Sequence, residues 1–181
     1  MKTLKSCLLV SAVLLAGTLM GCSSASTKSP DVSANVRNAL AQAGMKDVSV
    51  SEDGDKGVVT LTGHVPTDAA KAQAQSIAEA QAGGQAVANQ IAVLPPGDSN
   101  AKAMNTDLDK GIEKNLDAVL IYNQLHDQVK YSVKNHVVTL TGTVNSQDTR
   151  QHAQDVAAAV PNVQQVVNEL QIKDQKATAS N

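Results

Sequence analysis

Histidine is the side chain best suited to proton transfer or metal binding at neutral pH, and the sequence contains four. His64 follows a threonine-rich stretch on the predicted outward face of a strand, His152 occupies a polar helix position, and His126 and His136 lie in polar turns. None belongs to a nucleophile motif such as G-x-S-x-G. The sequence therefore predicts solvated histidines and a non-enzymatic protein, with no catalytic residue, metal or cofactor.

An acidic run surrounds Gly54, where Glu52, Asp53 and Asp55 could offer oxygen ligands to calcium. The run lacks the alternating acidic positions and the distal glutamate of a calcium-binding loop. Glycine among acidic residues is also typical of a tight turn. We therefore expect a hairpin turn here rather than a calcium site.

The amino terminus carries a cysteine whose position suggests covalent lipid attachment. Lys2 and Lys5 precede an apolar stretch at residues 8–19 that is too short to span a bilayer comfortably, which is typical of a secretory signal peptide. The stretch ends in the letters LMGC, which resemble a bacterial lipobox. The sequence predicts that residues 1–21 are removed and that Cys22 is diacylated; the alternative is a plain signal peptide with an incidental cysteine.

The cysteine count agrees with that prediction. Cys7 would leave with the signal peptide, so the mature chain would hold no thiol for a disulfide or a metal site. In the lipoproteins that the lipobox resembles, the residue after the lipidated cysteine influences sorting. Ser23 then favours the outer membrane.

Composition excludes nucleic acid as a partner. The chain has no Phe or Trp, two Tyr and a net charge of -2. Binding of single strands uses aromatic stacking, and binding of phosphate backbones uses clustered basic residues.

The letters VVTLTG at residues 58–63 recur at 137–142, and further identities continue at the same offset of 79 residues. The chain is therefore an internal duplication. Each copy predicts a helix, a β-hairpin, an alanine-rich helix and a last strand.

Helix starts follow from capping residues and apolar spacing. In the first copy, Ser29-Pro30 precedes a stripe of Val32, Val36 and Leu40; in the second, Thr106 precedes Leu108, Ile112 and Leu116. Thr67 and Ser146 are the predicted N-caps of the two alanine-rich helices.

Alternation along the VVTLTG strand places Val59, Leu61 and Val65 on the core face. Gly63 and Gly142 fall in the same row, where a missing side chain permits a bulge or the close approach of a helix.

The last strands, 87–93 and 166–172, place Asn89 and Asn168 in rows of apolar residues. A buried amide must be hydrogen-bonded, so a structural clamp on nearby backbone is favoured over a ligand site. A strand–helix–strand crossover is right-handed and parallel. The predicted fold class is α+β, with two tandem αββαβ modules, each a mixed three-stranded sheet with two helices on one face.

The predicted boundaries follow the repeat and the composition. A signal peptide at 1–21 is followed by a tether at 22–29, a first module at 30–94, a linker at 95–105, a second module at 106–173 and a disordered tail at 174–181.

Two sequence patterns resemble the BON domain. The early pattern is G-V-V-x-L-x-G-x-V, at residues 57–65, and the late pattern is V-x-N-x-[LI]-x-V, at residues 87–93 and 166–172. His136 replaces the glycine that Gly57 keeps in the first copy, and the first hairpin turn is longer than the second. The resemblance implies a dual-BON bacterial envelope lipoprotein, held by lipid at the periplasmic face of the outer membrane. It also implies support of envelope integrity under osmotic stress, and some dual-module relatives engage anionic phospholipid.

A basic face beside an apolar tip distinguishes the first helix of the second copy. Lys110 and Lys114 stand where the first copy is matched to Ala34 and Asn38, and Leu120, Ile121 and Tyr122 follow. Such a surface suits anionic headgroups; the alternative is an ordinary helix whose tip lies partly in the core. We expect a membrane partner and possible envelope-protein partners, and a protein-interaction scaffold without lipid recognition is the second hypothesis.

Overall fold

A computed structural model describes residues 28–173. The predicted signal peptide, Cys22 and most of the tether lie outside the described residues, and so does the predicted tail at 174–181.

The described residues form two modules with the same order of elements. The first consists of α1 (Ser33–Gln42), β1 (Val48–Asp53), β2 (Val58–Val65), α2 (Asp68–Gln81), β3 (Ala86–Asn89) and β4 (Ala92–Val93). The second consists of α3 (Ala101–Tyr122), β5 (Val129–Lys134), β6 (Val137–Val144), α4 (Gln147–Ala158), β7 (Gln165–Asn168) and β8 (Gln171–Ile172). The predicted α+β class and the tandem αββαβ modules are confirmed.

Each sheet is three strands wide. β2 pairs antiparallel with β1 and parallel with β3, while β4 pairs parallel with the last two residues of β2. The second module repeats this pairing. The predicted continuous last strand is therefore divided at Gln90 and Ile91. Gln90 N–H still donates to the Leu61 carbonyl at 2.9 Å, so β3 and β4 occupy one position in the sheet.

Both modules bury the predicted row of the repeated strand against their helices. Leu61 lies in a core formed by α1, α2 and the first sheet, and Leu140 lies in the corresponding core of the second module. Both leucines are fully buried, which confirms the predicted faces. Each such side chain contributes roughly 1.5–3 kcal/mol by leaving water.

Glycine is required at positions 63 and 142 because of the local backbone, not because a helix packs there. Their φ angles are +107° and +125°. A Cβ at Gly63 would collide with the carbonyl oxygen of Asp47, and one at Gly142 with that of Gln128. The group that comes close to each glycine is therefore the carbonyl of the residue before the neighbouring strand. The sequence had predicted a helix or a bulge at this place.

Two of the predicted helix starts are confirmed and two are wrong. Thr67 and Ser146 each accept a backbone N–H three residues later at 3.1 Å. Helix α1 instead begins after Val32, and the Glu52 carboxylate of the hairpin accepts the N–H groups of Val32 at 2.8 Å and Ser33 at 3.0 Å. A side chain from outside the helix thus replaces the cap predicted at Ser29-Pro30.

Helix α3 begins at Ala101, within the predicted linker, so Thr106 is not its N-cap. Leu108 is not a core residue, because 40% of it is exposed. The buried stripe is one turn further on, at Ile112, Leu116 and Leu120. With 22 residues against 10, α3 extends well beyond its counterpart α1.

The two sheets pack against each other through the faces opposite their helices. Val58 and Val137, the apolar exceptions on those faces, meet Ala88 and Val167 in a small buried cluster. The members correspond in pairs under the repeat, so the contact is approximately symmetric. The modules therefore share a third core.

Candidate functional site

The outward face of α3 carries four of the five predicted lipid-contact residues. Lys110 and Lys114 are exposed and lie one turn apart. Ile121 lies on the same side about three turns after Lys110 and is 56% exposed, and the adjacent Tyr122 is 87% exposed. A basic strip therefore ends in an exposed apolar tip.

Leu120 does not belong to this surface. It is fully buried in the core of the second module, beside Leu116 and Val129. Its carbonyl accepts the N–H of Leu125, as the carbonyl of Leu40 accepts that of Met45. Leu120 thus corresponds to Leu40, and its predicted lipid contact is wrong.

The same correspondence corrects the match between the two helices. If Leu120 matches Leu40, then Lys110 and Lys114 correspond to Pro30 and Ala34, not to Ala34 and Asn38. Neither first-module residue is basic, so the basic strip is still particular to α3.

Two carboxylates near the strip have partners in the structure. Asp107 lies 3.3 Å from the Lys110 ammonium, and the exposure of this pair makes it weak. Asp117 accepts the Tyr131 hydroxyl at 3.3 Å and lies 3.2 Å from His126 Nε2. Asp107 therefore offsets part of the charge of Lys110, whereas Asp117 is engaged away from the strip.

Asn89 and Asn168 occupy equivalent positions and bond to backbone. Asn89 Nδ2 donates to the Lys71 carbonyl at 2.9 Å, and Asn168 Nδ2 donates to the Arg150 carbonyl at 3.0 Å. Each side-chain oxygen accepts an N–H two residues later, which spans the break between the paired short strands. The amides fasten the last strand to the preceding helix.

Polar bonds on both sides of the shared core join the modules. The Lys56 ammonium lies 2.8 Å from the Glu169 carboxylate, and Asn135 Nδ2 donates to the Gln90 carbonyl at 2.8 Å. Asn135 and Gln90 lie at the hairpin turn and the strand break that correspond to Lys56 and Glu169. The two contacts are thus related by the internal repeat.

Lys71 was missed by sequence reasoning and is the most enclosed cation of the described residues. It is 9% exposed, and its ammonium donates to the Asn135 carbonyl and to Gln164 Oε1, both at 3.1 Å. Burial lowers the pKa of Lys71, while nearby Asp68 and Asp109 oppose that shift. The signal was a basic residue within an alanine stripe in both copies, at Lys71 and Arg150.

His136 forms a two-residue hairpin turn with Asn135. Their φ angles are +68° and +49°, which define a type I′ turn. Asp109 of α3 accepts both N–H groups at 2.8 Å. The tight turn therefore survives the replacement of glycine.

The His136 ring departs from the predicted solvated state. Burial lowers its pKa and Lys71 adds to that shift, while Asp109 and Asp68 oppose it. Its Nε2 is enclosed and has no hydrogen-bond partner among residues 28–173. The other three histidines are exposed.

Two other kinds of feature do not occur among the described residues. No group of three or more His, Cys, Asp or Glu side chains in 28–173 is placed to hold a metal ion. None of the helices in that range combines the length and the apolar character needed to cross a bilayer.

The BON domain matches residues 29–95 and 108–174, well over half of the chain. The chain belongs to the BON-domain family. It is similar to osmotically-inducible protein Y of Escherichia coli (strain K12), with 32% identity over 145 residues that cover 78% of this chain and 71% of the relative.

Among solved structures, the chain shows a weak likeness to CdsD, a structural protein of the type III secretion system of Chlamydia trachomatis. For the CdsD C-terminal domain the TM-score is 0.34 at 13% identity, covering 82% of this chain and all of that one. A second CdsD structure gives 0.31 at 15% identity, covering 77% and 91%. Likeness at this level supports no conclusion about the role of this chain.

Proposed function

We propose that this protein is a non-enzymatic, lipid-anchored component of the bacterial envelope that binds phospholipid surfaces through α3 and supports outer-membrane integrity under osmotic stress. The observation that carries the proposal is the exposed pair Ile121 and Tyr122 at the end of the basic strip of Lys110 and Lys114. Apolar insertion and headgroup attraction reinforce each other at a membrane interface.

The anchor half of the proposal rests on the LMGC sequence that ends at Cys22. A diacyl group at Cys22 would hold the first module close to the bilayer, because the described chain begins at Lys28 and Ser29 N–H already bonds to the Gly54 carbonyl at 2.8 Å. Six residues or so can span at most about 20 Å. Under such confinement even weak contact by α3 becomes effective.

The stress-related half rests on the family. The similar protein of Escherichia coli is named for osmotic induction, and it matches most of this chain.

Vesicle flotation tests the membrane half. A soluble form beginning at Ser23 retains every described residue, and we expect it to float with anionic phosphatidylglycerol vesicles at low salt. Flotation should fall as salt rises, because screening weakens headgroup attraction. Equal flotation with neutral vesicles, or none at low salt, would favour the protein-interaction scaffold instead.

Metabolic labelling tests the anchor. A clickable palmitate analogue should label the wild-type protein and fail to label the Cys22→Ala variant. An unlabelled wild-type protein would reject lipidation and leave the flotation result unaffected.

A further inference from the structure

A cavity of about 340 Å³ lies between the modules. It is partly open to solvent and is bordered by the start of α2, by β4 and the segment after it, by the first turns of α3 and by the β5–β6 turn. Its size is near the lower end of the range that binds small molecules, about 300–1,000 Å³.

One end of the cavity is polar and carries unused hydrogen-bonding capacity. The Lys71 ammonium has three N–H groups, and the two oxygens that it contacts, Asn135 O and Gln164 Oε1, use two of them. His136 Nε2, in the same lining, is enclosed without a partner among residues 28–173. Enclosed polar atoms are normally paired, so this end is suited to a polar ligand group.

The other end of the cavity is apolar. Met104 and Leu108 lie about one turn apart on α3, are 59% and 40% exposed, and face the same lining as Val93. Large apolar side chains that remain open to water are stabilised when a ligand covers them. An aliphatic group placed here would remove them from solvent.

The cavity arises where the second module departs from the first. The additional turns of α3 form one wall, and Asn105 Nδ2 fastens them to the Val93 carbonyl at 3.4 Å. Among the described residues of the first module, helix α1 starts at Ser33, and residues 28–32 before it are not helical. The cavity is therefore not a feature that both copies of the duplicated domain share.

The charges around the cavity indicate which charge the polar head group of a ligand can carry. Asp68 and Asp98 line it and Asp109 lies beside it, so acidic groups outnumber the single ammonium of Lys71. An anionic head would face this acidic surplus, and a cationic head would face Lys71. A neutral hydroxyl or amide avoids both, and it can accept the remaining N–H of Lys71 while lying against the His136 ring.

We propose that the cavity binds a small neutral amphiphile, with its aliphatic chain against Met104 and Leu108 and its hydroxyl or amide head between Lys71 and His136. This site is separate from the outward face of α3, so it does not depend on the proposed membrane contact.

Three probes that share a chain and differ in their heads test the proposal: 1-octanol, octanoate and octylammonium. Each is titrated without detergent into the form beginning at Ser23, with amide shifts followed by NMR. We expect saturable binding of octanol, with shifts at Leu108 and His136. The charged probes should bind on the order of tenfold more weakly, because a charged head gives up more hydration than a hydroxyl on entering a partly enclosed site. Nearby opposite charges are already engaged: the Lys71 ammonium contacts two oxygens, and the Asp109 carboxylate accepts two backbone N–H groups.

Leu108→Gln supplies the matched variant, because a half-exposed residue can be replaced without opening a core. It should weaken octanol binding on the order of tenfold. Ile121→Gln, at the far end of the same helix, should leave that binding unchanged. Tighter binding of octanoate, equal effects of the two variants, or no saturable binding of octanol would each overturn the proposal.

Discussion

The ammonium of Lys71 in the first module lies 3.1 Å from the amide oxygen of Gln164 in the second. This bond joins residues 93 positions apart, and the modules also meet in the buried cluster of Val58 and Val137. The described chain forms two cores and a third between them, although the segment that connects the modules has the composition of a linker. The orientation of α3 relative to the first module is set by these contacts.

Coupling between Lys71 and Gln164 should be measurable by a double-mutant cycle. Lys71→Ala and Gln164→Ala should each reduce the free energy of unfolding, and the double variant should cost less than their sum. We expect a coupling of about 0.5–3 kcal/mol for contacting groups. Strict additivity in urea unfolding would mean that this bond does not hold the modules together.

Replacing glycine by alanine should have opposite effects at Gly63, where the backbone requires glycine, and at Gly111, where glycine only weakens a helix. Gly63→Ala should destabilise the fold by roughly 3 kcal/mol or more, because it combines a positive φ with a collision against the Asp47 carbonyl. Gly111→Ala is the control, since space around this helical glycine is open. It should raise stability by about 0.5–1 kcal/mol. Similar signs for the two variants in thermal unfolding would contradict the assigned backbone roles.

Leucines at three positions should respond according to burial. Leu61→Ala and Leu140→Ala should each cost about 2–5 kcal/mol, since a small aliphatic core leaves a void. Thr60→Ala and Thr139→Ala, on the opposite face, should cost far less. Leu108→Ala should also cost little, because Leu108 lies outside the core. Denaturant midpoints that fall equally for all of these positions would refute the core assignment.

Acid should weaken the fold through His136. Its folded-state pKa lies below the ordinary value of 6.5, so the unfolded chain takes up the proton first as the pH falls. This contribution to stability is therefore lost progressively below about pH 6.5. The charged groups that face the ring are Asp109 on α3, which opposes the shift, and Asp68 and Lys71 on α2, which act in opposite directions.

Asparagine tolerates a positive φ, so His136→Asn should keep the turn and remove this pH dependence. Unfolding free energies between pH 5 and 7 should then be flatter than in the wild type. His152→Asn, on an exposed face of α4, is the control and should leave the wild-type slope unchanged. An unchanged slope in His136→Asn would contradict the assignment.

The helices, the strands and the two cores could be predicted because the same pattern of apolar and capping residues occurs in both copies. Alternation placed Leu61 and Leu140 inside, and N-cap chemistry located α2 and α4. The start of α3 was missed because residues 101–105 carry no apolar stripe, and the Pro-Gly segment before them is typical of a linker. A stripe offset by one turn then placed Leu108 in the core and Leu120 at the surface.

The contacts between modules were beyond sequence reasoning because they join side chains whose local patterns look ordinary. Val58 and Val137 are apolar residues on otherwise polar strand faces, and they mark the shared core. Lys71 and His136 had no comparable signal of proximity. Their positions follow from how the two sheets pack, which no local periodicity specifies.

Membrane contact through α3 is tested most directly by reversing the charge of its basic strip. Lys110→Glu with Lys114→Glu is compared with Lys46→Glu with Lys130→Glu, which changes the net charge equally at exposed positions away from the strip. All are prepared from Ser23 onward and floated with phosphatidylglycerol vesicles at low salt. We predict that the α3 variant no longer floats and that the control pair floats like the wild type; equal loss in both pairs, or flotation of the α3 variant, would contradict the account.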